Sequence, residues 1–81
     1  MTNSLAEEYR ARIHWIKSRL NEMANENGEI PKADAEAMIY QHYECSEYAV
    51  RRYLRTLEGM RFLSQNSVYL IVEEKRKADK K

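Results

Sequence analysis

The chain has 81 residues, of which 14 are basic and 13 acidic, so its formal net charge is +1. This length allows one small domain, and the near-neutral charge excludes the strongly basic composition of proteins that coat DNA nonspecifically. Because there is one cysteine, Cys45, and only two histidines, we expect no internal disulfide, no metal site and no cofactor. The single cysteine indicates a reducing compartment, so we expect a cytoplasmic protein. There is no apolar run of ~18 residues and no signal-peptide pattern, so we expect no membrane contact.

The first predicted element is a long amphipathic helix over residues 4–26, which Ser4 is suited to cap. Its apolar residues recur in steps of three and four, and Gly28 beyond it suits a left-handed position. Such a helix has more apolar surface than one small partner layer needs, so we expect a homodimer joined mainly through it. The candidates for its core and dimer interface are Tyr9, Ile13, Trp15, Ile16, Leu20 and Met23.

A short extended segment, residues 29–31, is expected next, because the residue before Pro31 disfavours helix. A second helix is predicted over residues 32–43. Its inner face is expected to hold the residues with helical spacing there: Ala33, Ala37, Met38 and one of Tyr40 and Gln41. A tight turn over residues 44–46 then leads to a third helix, which Ser46 caps and which ends at Gly59. The third helix is expected to bury Val50, Leu57 and one of Tyr53 and Leu54.

Beyond Gly59 the apolar period changes from helical to two, and residues 61–64 and 67–73 are rich in β-branched and aromatic side chains. With the turn-forming "QNS" between them, this pattern predicts a small β-hairpin. Residues 74–81 are charged, and we expect a flexible basic tail. The sequence thus predicts a single, mainly α domain over residues 1–81, with three helices and a hairpin.

This element order resembles the winged helix-turn-helix family of DNA-binding proteins. The resemblance spans residues 29–73 and is most specific in "SEYAVRRYLRTLEGM", which is similar to that family's serine-capped recognition helix. The segment "RFLSQNSVYLIVE" is similar to the family's wing. The resemblance implies double-stranded DNA as the partner of a small transcriptional regulator. Such compact regulators, without a ligand-binding domain, are common in archaea, their viruses and plasmids.

Four side chains of the third helix share one face, here called the arginine face: Tyr48, Arg51, Arg52 and Arg55. An arginine in the major groove can bind guanine through two hydrogen bonds, so we expect the first three nearer to bases and Arg55 nearer to phosphate. From residue 51 to 61 there are four arginines and one glutamate, which makes this part of the chain locally basic. The alternative is a solvated face in which Glu47 pairs with Arg51 and Glu58 with Arg55.

Four further residues are candidates for DNA contact. Ser46 and the amides that follow it could hold a phosphate at the helix N-terminus, although Ser46 could equally be an N-cap alone. Arg61, where the wing begins, is a phosphate candidate. Gln65 and Asn66 at the wing tip could bond to sugar or phosphate, or simply form a polar turn.

No glycine-rich phosphate loop and no nucleophile with a base at motif spacing is present, so we expect neither an enzyme nor a small-molecule ligand. The favoured function is sequence-specific binding of double-stranded DNA, with residues 46–58 in the major groove. A dimer would read two half-sites ~34 Å apart. One alternative is a winged-helix protein-interaction module whose arginine face binds an acidic partner. Another is a plasmid or phage replication or partition adaptor, which the sequence does not separate from a regulator.

Overall fold

The computed structural model describes residues 4–78 and the side chains of residues 5–76. The chain is mainly helical, with a small three-stranded antiparallel sheet in the order β1–β3–β2. In chain order its elements are α1 (Ser4–Met23), β1 (Glu29–Pro31), α2 (Lys32–Tyr43), α3 (Glu47–Gly59), β2 (Leu63–Gln65), β3 (Tyr69–Val72) and α4 (Glu73–Ala78). None of the helices within residues 4–78 is long and apolar enough to cross a membrane.

Helix α1 has the predicted apolar stripe, but it ends at Met23 rather than near residue 26. Beyond the helix, the side-chain oxygen of Asn25 accepts hydrogen bonds from the backbone N–H groups of Asn27 and Glu29, both at 2.9 Å. This competes with helical hydrogen bonding and turns the chain towards β1. Gly28 lies in that turn with φ 79°, the left-handed conformation expected of it.

The sheet includes a strand that the sequence reasoning treated only as an extended connector. Strand β1 pairs with β3, with Ile30 opposite Leu70, and β3 also pairs with β2 to form the predicted hairpin. The hairpin strands are shorter than predicted, because the side-chain oxygen of Asn66 accepts the N–H groups of Val68 (2.8 Å) and Tyr69 (2.7 Å) and tightens the turn.

Helix α2 has the predicted bounds, but its predicted inner face is wrong. Ala35 and Ile39 are the buried residues, and Met38 is half-buried. The other candidates for the inner face are all exposed to solvent: Ala33, Ala37, Tyr40 and Gln41. A stripe through Ala33 and Ala37 would have left Ile39 in water, and burial of the larger side chain removes more apolar surface.

Helix α3 buries Val50 and Leu57, as predicted. It also buries both Tyr53 and Leu54, of which only one was expected to be buried. It ends at Gly59, as predicted. Nine large side chains are almost fully buried in the core beneath the helices and the sheet: Ile16, Leu20, Ile30, Ile39, Leu54, Leu57, Leu63, Leu70 and Val72.

The flexible tail predicted over residues 74–81 is wrong in its first part. Residues Glu73–Ala78 form the helix α4, which follows β3 directly. The ammonium group of Lys75 donates to the backbone carbonyls of Asn21 (3.0 Å) and Ala24 (2.7 Å), which joins α4 to the end of α1. Within α4, Arg76 pairs with Glu73 at 2.6 Å. Residues 79–81 of the predicted tail lie outside the described residues.

Candidate nucleic-acid interface

Ser46 caps the N-terminus of α3. Its backbone is extended (φ −78°, ψ 163°), and its side-chain oxygen accepts the N–H of Ala49 at 3.2 Å, so the residue is an N-cap as predicted. The preceding turn is closed by Glu44, which has a left-handed conformation with φ 49°. This turn sets the direction in which α3 leaves α2.

The arginine face is the outer side of α3. Its apolar side packs on the core, and this leaves Tyr48, Arg51, Arg52 and Arg55 exposed to solvent. Tyr48 in the first turn is 74% exposed. The structure therefore brings all four predicted side chains together on one accessible helix face.

The ion pairs predicted by the alternative interpretation are absent among the described residues. The salt bridges within residues 4–78 join Glu8 to Arg12, Arg19 to Glu22 and Glu73 to Arg76. Glu58 instead accepts a hydrogen bond from the amide nitrogen of Gln65 at 3.3 Å. In this part of the chain, the three guanidinium groups of the arginine face therefore have no carboxylate partner.

The β2–β3 hairpin reaches the arginine face through Gln65. This residue lines a cavity of about 250 Å³ together with Lys32, Arg51 and Arg55, and with Glu36, Leu54 and Glu58. Lys32 was missed by the sequence reasoning. A basic residue in the first turn of a helix is unfavourable for the helix dipole, and this was the available signal that marks Lys32 as a candidate.

Arg61 and Asn66 are less directly part of this surface. Arg61 has a left-handed backbone with φ 62° in the turn after α3. Its side chain lines a separate cavity together with Glu58 and Glu73. The side-chain oxygen of Asn66 is already used within the hairpin turn. We therefore assign Asn66 mainly to the turn, with only its amide nitrogen left for an external partner.

Negative charge borders the arginine face on the side of α2. A cavity of about 400 Å³ between α2 and α3 is lined by Glu36, Ala37, Tyr40, Glu47, Val50 and Arg51. The carboxylates of Glu36 and Glu47 weaken the positive potential near Arg51. Glu36 also lines the cavity that contains Arg55, so both Arg51 and Arg55 have a carboxylate of α2 nearby.

A cluster of aromatic and arginine side chains fixes α1 against α2 and α3. Arg12 donates to the hydroxyl of Tyr53 at 2.9 Å and lies 4.8 Å from the ring centroid of Tyr43. The hydrogen bond to Tyr53 is the main cause of a raised pKa for Arg12, and burial raises the pKa of Tyr43. The rings of Trp15 and His42 stack with their centroids 3.7 Å apart.

The six dimer-interface candidates separate into two groups. Ile13, Ile16 and Leu20 are buried in the core of a single chain, so they have little surface left for a second copy. The half-buried members are Tyr9, Trp15 and Met23. Trp15 and Met23 line a cavity of about 510 Å³ between α1 and α2 that also includes Arg19, Asp34, Ala37, Met38, Gln41 and His42.

The chain matches no protein-family model, no curated protein and no solved structure. The geometry of its own residues is therefore the basis for inferring a function.

Proposed function

We propose that the protein is a small winged helix-turn-helix transcriptional regulator that binds double-stranded DNA in a sequence-specific manner. In this proposal α3 lies in the major groove and the β2–β3 hairpin is the wing. The order of the elements supports it, since a helix, a turn and a second helix are followed directly by a hairpin. The proposed mechanism is occupancy of a site, by which polymerase is blocked or recruited.

One observation carries the proposal: the exposed side of α3 presents three arginines that form no salt bridge within residues 4–78. Arginines on a helix surface that form no ion pair suit an anionic partner. A helix also has the width that the major groove of B-form DNA admits. Tyr48 and the N-cap Ser46 extend this surface to the start of the helix, where recognition helices contact bases.

The residues near the wing suit contact with the phosphate backbone. Arg55 and Lys32 line the same cavity as Gln65 of the wing. We propose that these two cations bind phosphates and fix the register of α3, while Tyr48, Arg51 and Arg52 contact base edges. Arg61 is a further candidate for a phosphate, at the far end of α3.

We further propose that the regulator is a homodimer, formed through the groove between α1 and α2. Apolar Trp15, Met23 and Met38 line this groove together with Arg19 and Asp34. In a two-fold arrangement the same patch meets itself, so Arg19 of one copy can face Asp34 of the other. A dimer of this kind would bind a pseudo-palindromic site with half-sites about one helical turn apart, ~34 Å.

The test is selection of bound sequences from a random duplex library, followed by affinity measurements on the enriched site. Arg51→Ala should weaken binding by about 5- to 150-fold, since a good arginine–base contact contributes roughly 1–3 kcal/mol, and Arg55→Ala should weaken binding to all sequences alike through loss of a phosphate contact. Arg10→Ala removes the same charge from an exposed position on α1 and is the matched control. If no sequence is enriched, or if both variants bind as tightly as the parent, the proposal is wrong.

A second candidate function is a protein-interaction module. It is favoured by the carboxylates of Glu36 and Glu47, which border Arg51 and would face the phosphates of a bound duplex. A partner protein with an acidic patch for the arginine face, and a basic group for these carboxylates, would fit both charges. Absence of enrichment in the library experiment would favour this function.

A further inference from the structure

We propose that Tyr9, on α1, is a positioning residue that holds Arg52 in the orientation in which it reads a base, and so determines specificity. This inference rests on the proposed function, in which α3 binds DNA. It concerns a residue far from α3 in the sequence, which the sequence reasoning assigned to the core or the dimer interface.

The first link between Tyr9 and Arg52 is a chain of two hydrogen bonds. The Tyr9 hydroxyl lies 2.6 Å from the side-chain oxygen of Thr56, and that hydroxyl donates to the backbone carbonyl of Arg52 at 3.0 Å. Thr56 has one hydroxyl proton, which is used in this second bond. Tyr9 is therefore the donor to Thr56, and α1 is joined to the turn of α3 that carries Arg52.

The second link is the face of the tyrosine ring. The guanidinium carbon of Arg52 lies 5.5 Å from the Tyr9 ring centroid, within the range of a cation–π contact. The Tyr9 ring itself packs on the ring of Tyr53, with centroids 5.4 Å apart, and Tyr53 is only 6% exposed. Arg52 thus lies over an aromatic surface that is fixed to the core.

Arg52 differs in this respect from its neighbours on the arginine face. Within the described residues, an aromatic ring lies under Arg52 but under neither Arg51 nor Arg55. A long side chain loses rotamer freedom when it binds, and one that is already oriented in the free protein loses less. A planar guanidinium held on a ring therefore suits the directional contact to a base.

The test compares Tyr9→Leu, which removes the ring, with Tyr9→Phe, which keeps it. In the free protein, the ring current of Tyr9 should displace the NMR resonance of the Arg52 side-chain N–H. We expect Tyr9→Leu to move this resonance towards that of Arg55, and Tyr9→Phe to retain most of the displacement. Tyr40→Leu, at an exposed tyrosine of α2, is the matched control and should leave the resonance unchanged.

The second readout is discrimination, the ratio of affinities for the selected site and for its single-base variants. We expect Tyr9→Leu to lower discrimination about 5- to 10-fold at the base that Arg52→Ala also affects, as for loss of one oriented base contact. The double variant of Tyr9→Leu and Arg52→Ala should discriminate as well as Arg52→Ala alone, because both changes remove the same interaction. Tyr9→Phe should stay within about twofold of the parent.

Thr56→Val removes the hydrogen-bonded link without touching the ring, and keeps the test informative if Tyr9→Leu does not fold. It should displace the Arg52 resonance in the same direction by a smaller amount. An unchanged resonance in Tyr9→Leu, or a displaced resonance with unchanged discrimination, would overturn the positioning role while leaving DNA binding intact. A parent that binds no duplex would instead overturn the proposed function, and the role of Tyr9 in DNA reading with it.

Discussion

The ammonium group of Lys75 donates to the backbone carbonyl of Ala24 at 2.7 Å, although the two residues are 51 positions apart in the chain. The last turn of α1 contains no basic residue, so its carbonyl groups lack a cation from their own helix. Lys75 supplies that charge from α4 and also bonds to Asn21. This contact joins α4 to the end of α1.

Removal of this contact should lower the stability of the domain. Lys75→Met keeps most of the apolar stem and removes the charge. We expect the free energy of unfolding to fall by about 1 kcal/mol, which is less than the roughly 1.5–3 kcal/mol of a hydrogen bond to a charged group because the site is partly exposed. Urea unfolding measures this change. The control is Glu74→Gln on the exposed side of α4, and an equal effect of the two substitutions would mean that the contact contributes nothing.

The two glycines should respond in opposite ways to substitution by alanine. Gly28 has φ 79°, and a Cβ there would lie 2.6 Å from the carbonyl oxygen of Val72. We expect Gly28→Ala to lower the free energy of unfolding by roughly 2 kcal/mol or more. Gly59 ends α3, and a Cβ at this position would point into open space, with no neighbouring atom within 4 Å. Gly59→Ala should therefore leave the free energy of unfolding unchanged or raise it by up to about 1 kcal/mol. Thermal unfolding of the two variants measures this difference.

The features predictable from the sequence are those determined by neighbours along the chain. The N-cap of Ser46, the buried side of α3 and the turn at Asn66 all depend on residues within a few positions of one another. Their signals are local hydrogen-bonding groups and a strong apolar period. For this reason the arginine face, which is the opposite side of α3, could also be predicted.

The features that could not be predicted depend on distant partners. Strand β1 is only three residues long and becomes a strand because it pairs with β3. Alanines in α2 gave two possible apolar stripes, and only packing against the core favours Ile39 over Ala33 and Ala37. The contact of Arg52 with Tyr9 also joins remote parts of the chain. Periodicity alone contains no information on such pairs.

Stability should fall at alkaline pH, partly through Tyr43. Burial raises the pKa of Tyr43 above its usual value of 10.0, although the charge of Arg12 opposes the shift. The stability linked to this group is therefore fully present below about pH 10 and is lost as the pH rises through the pKa of the folded state. In urea unfolding, Tyr43→Phe should lose less stability than the parent between about pH 9 and about pH 11. Parallel pH curves for the two proteins would contradict this.

The dimer proposed here should depend on the groove between α1 and α2. Ala37 is exposed and lines this groove, so Ala37→Glu introduces a charge there without disturbing the core. Sedimentation should show a dimer for the parent and a monomer for Ala37→Glu, because an unpaired charge in an apolar interface is costly. Ala33→Glu adds the same charge at another exposed position of α2 and should remain dimeric. A monomeric parent would contradict the proposed dimer.

The salt dependence of binding to the selected duplex tests the central claim most directly, that the arginine face of α3 binds DNA. We predict that the logarithm of the affinity falls linearly with the logarithm of salt concentration, and that Arg55→Ala reduces the slope by about 0.9, the value for one phosphate contact. The control Arg10→Ala should retain the slope of the parent. Binding by Arg51→Ala and Arg55→Ala with the affinity and slope of the parent would contradict the claim, as would a parent that binds no duplex.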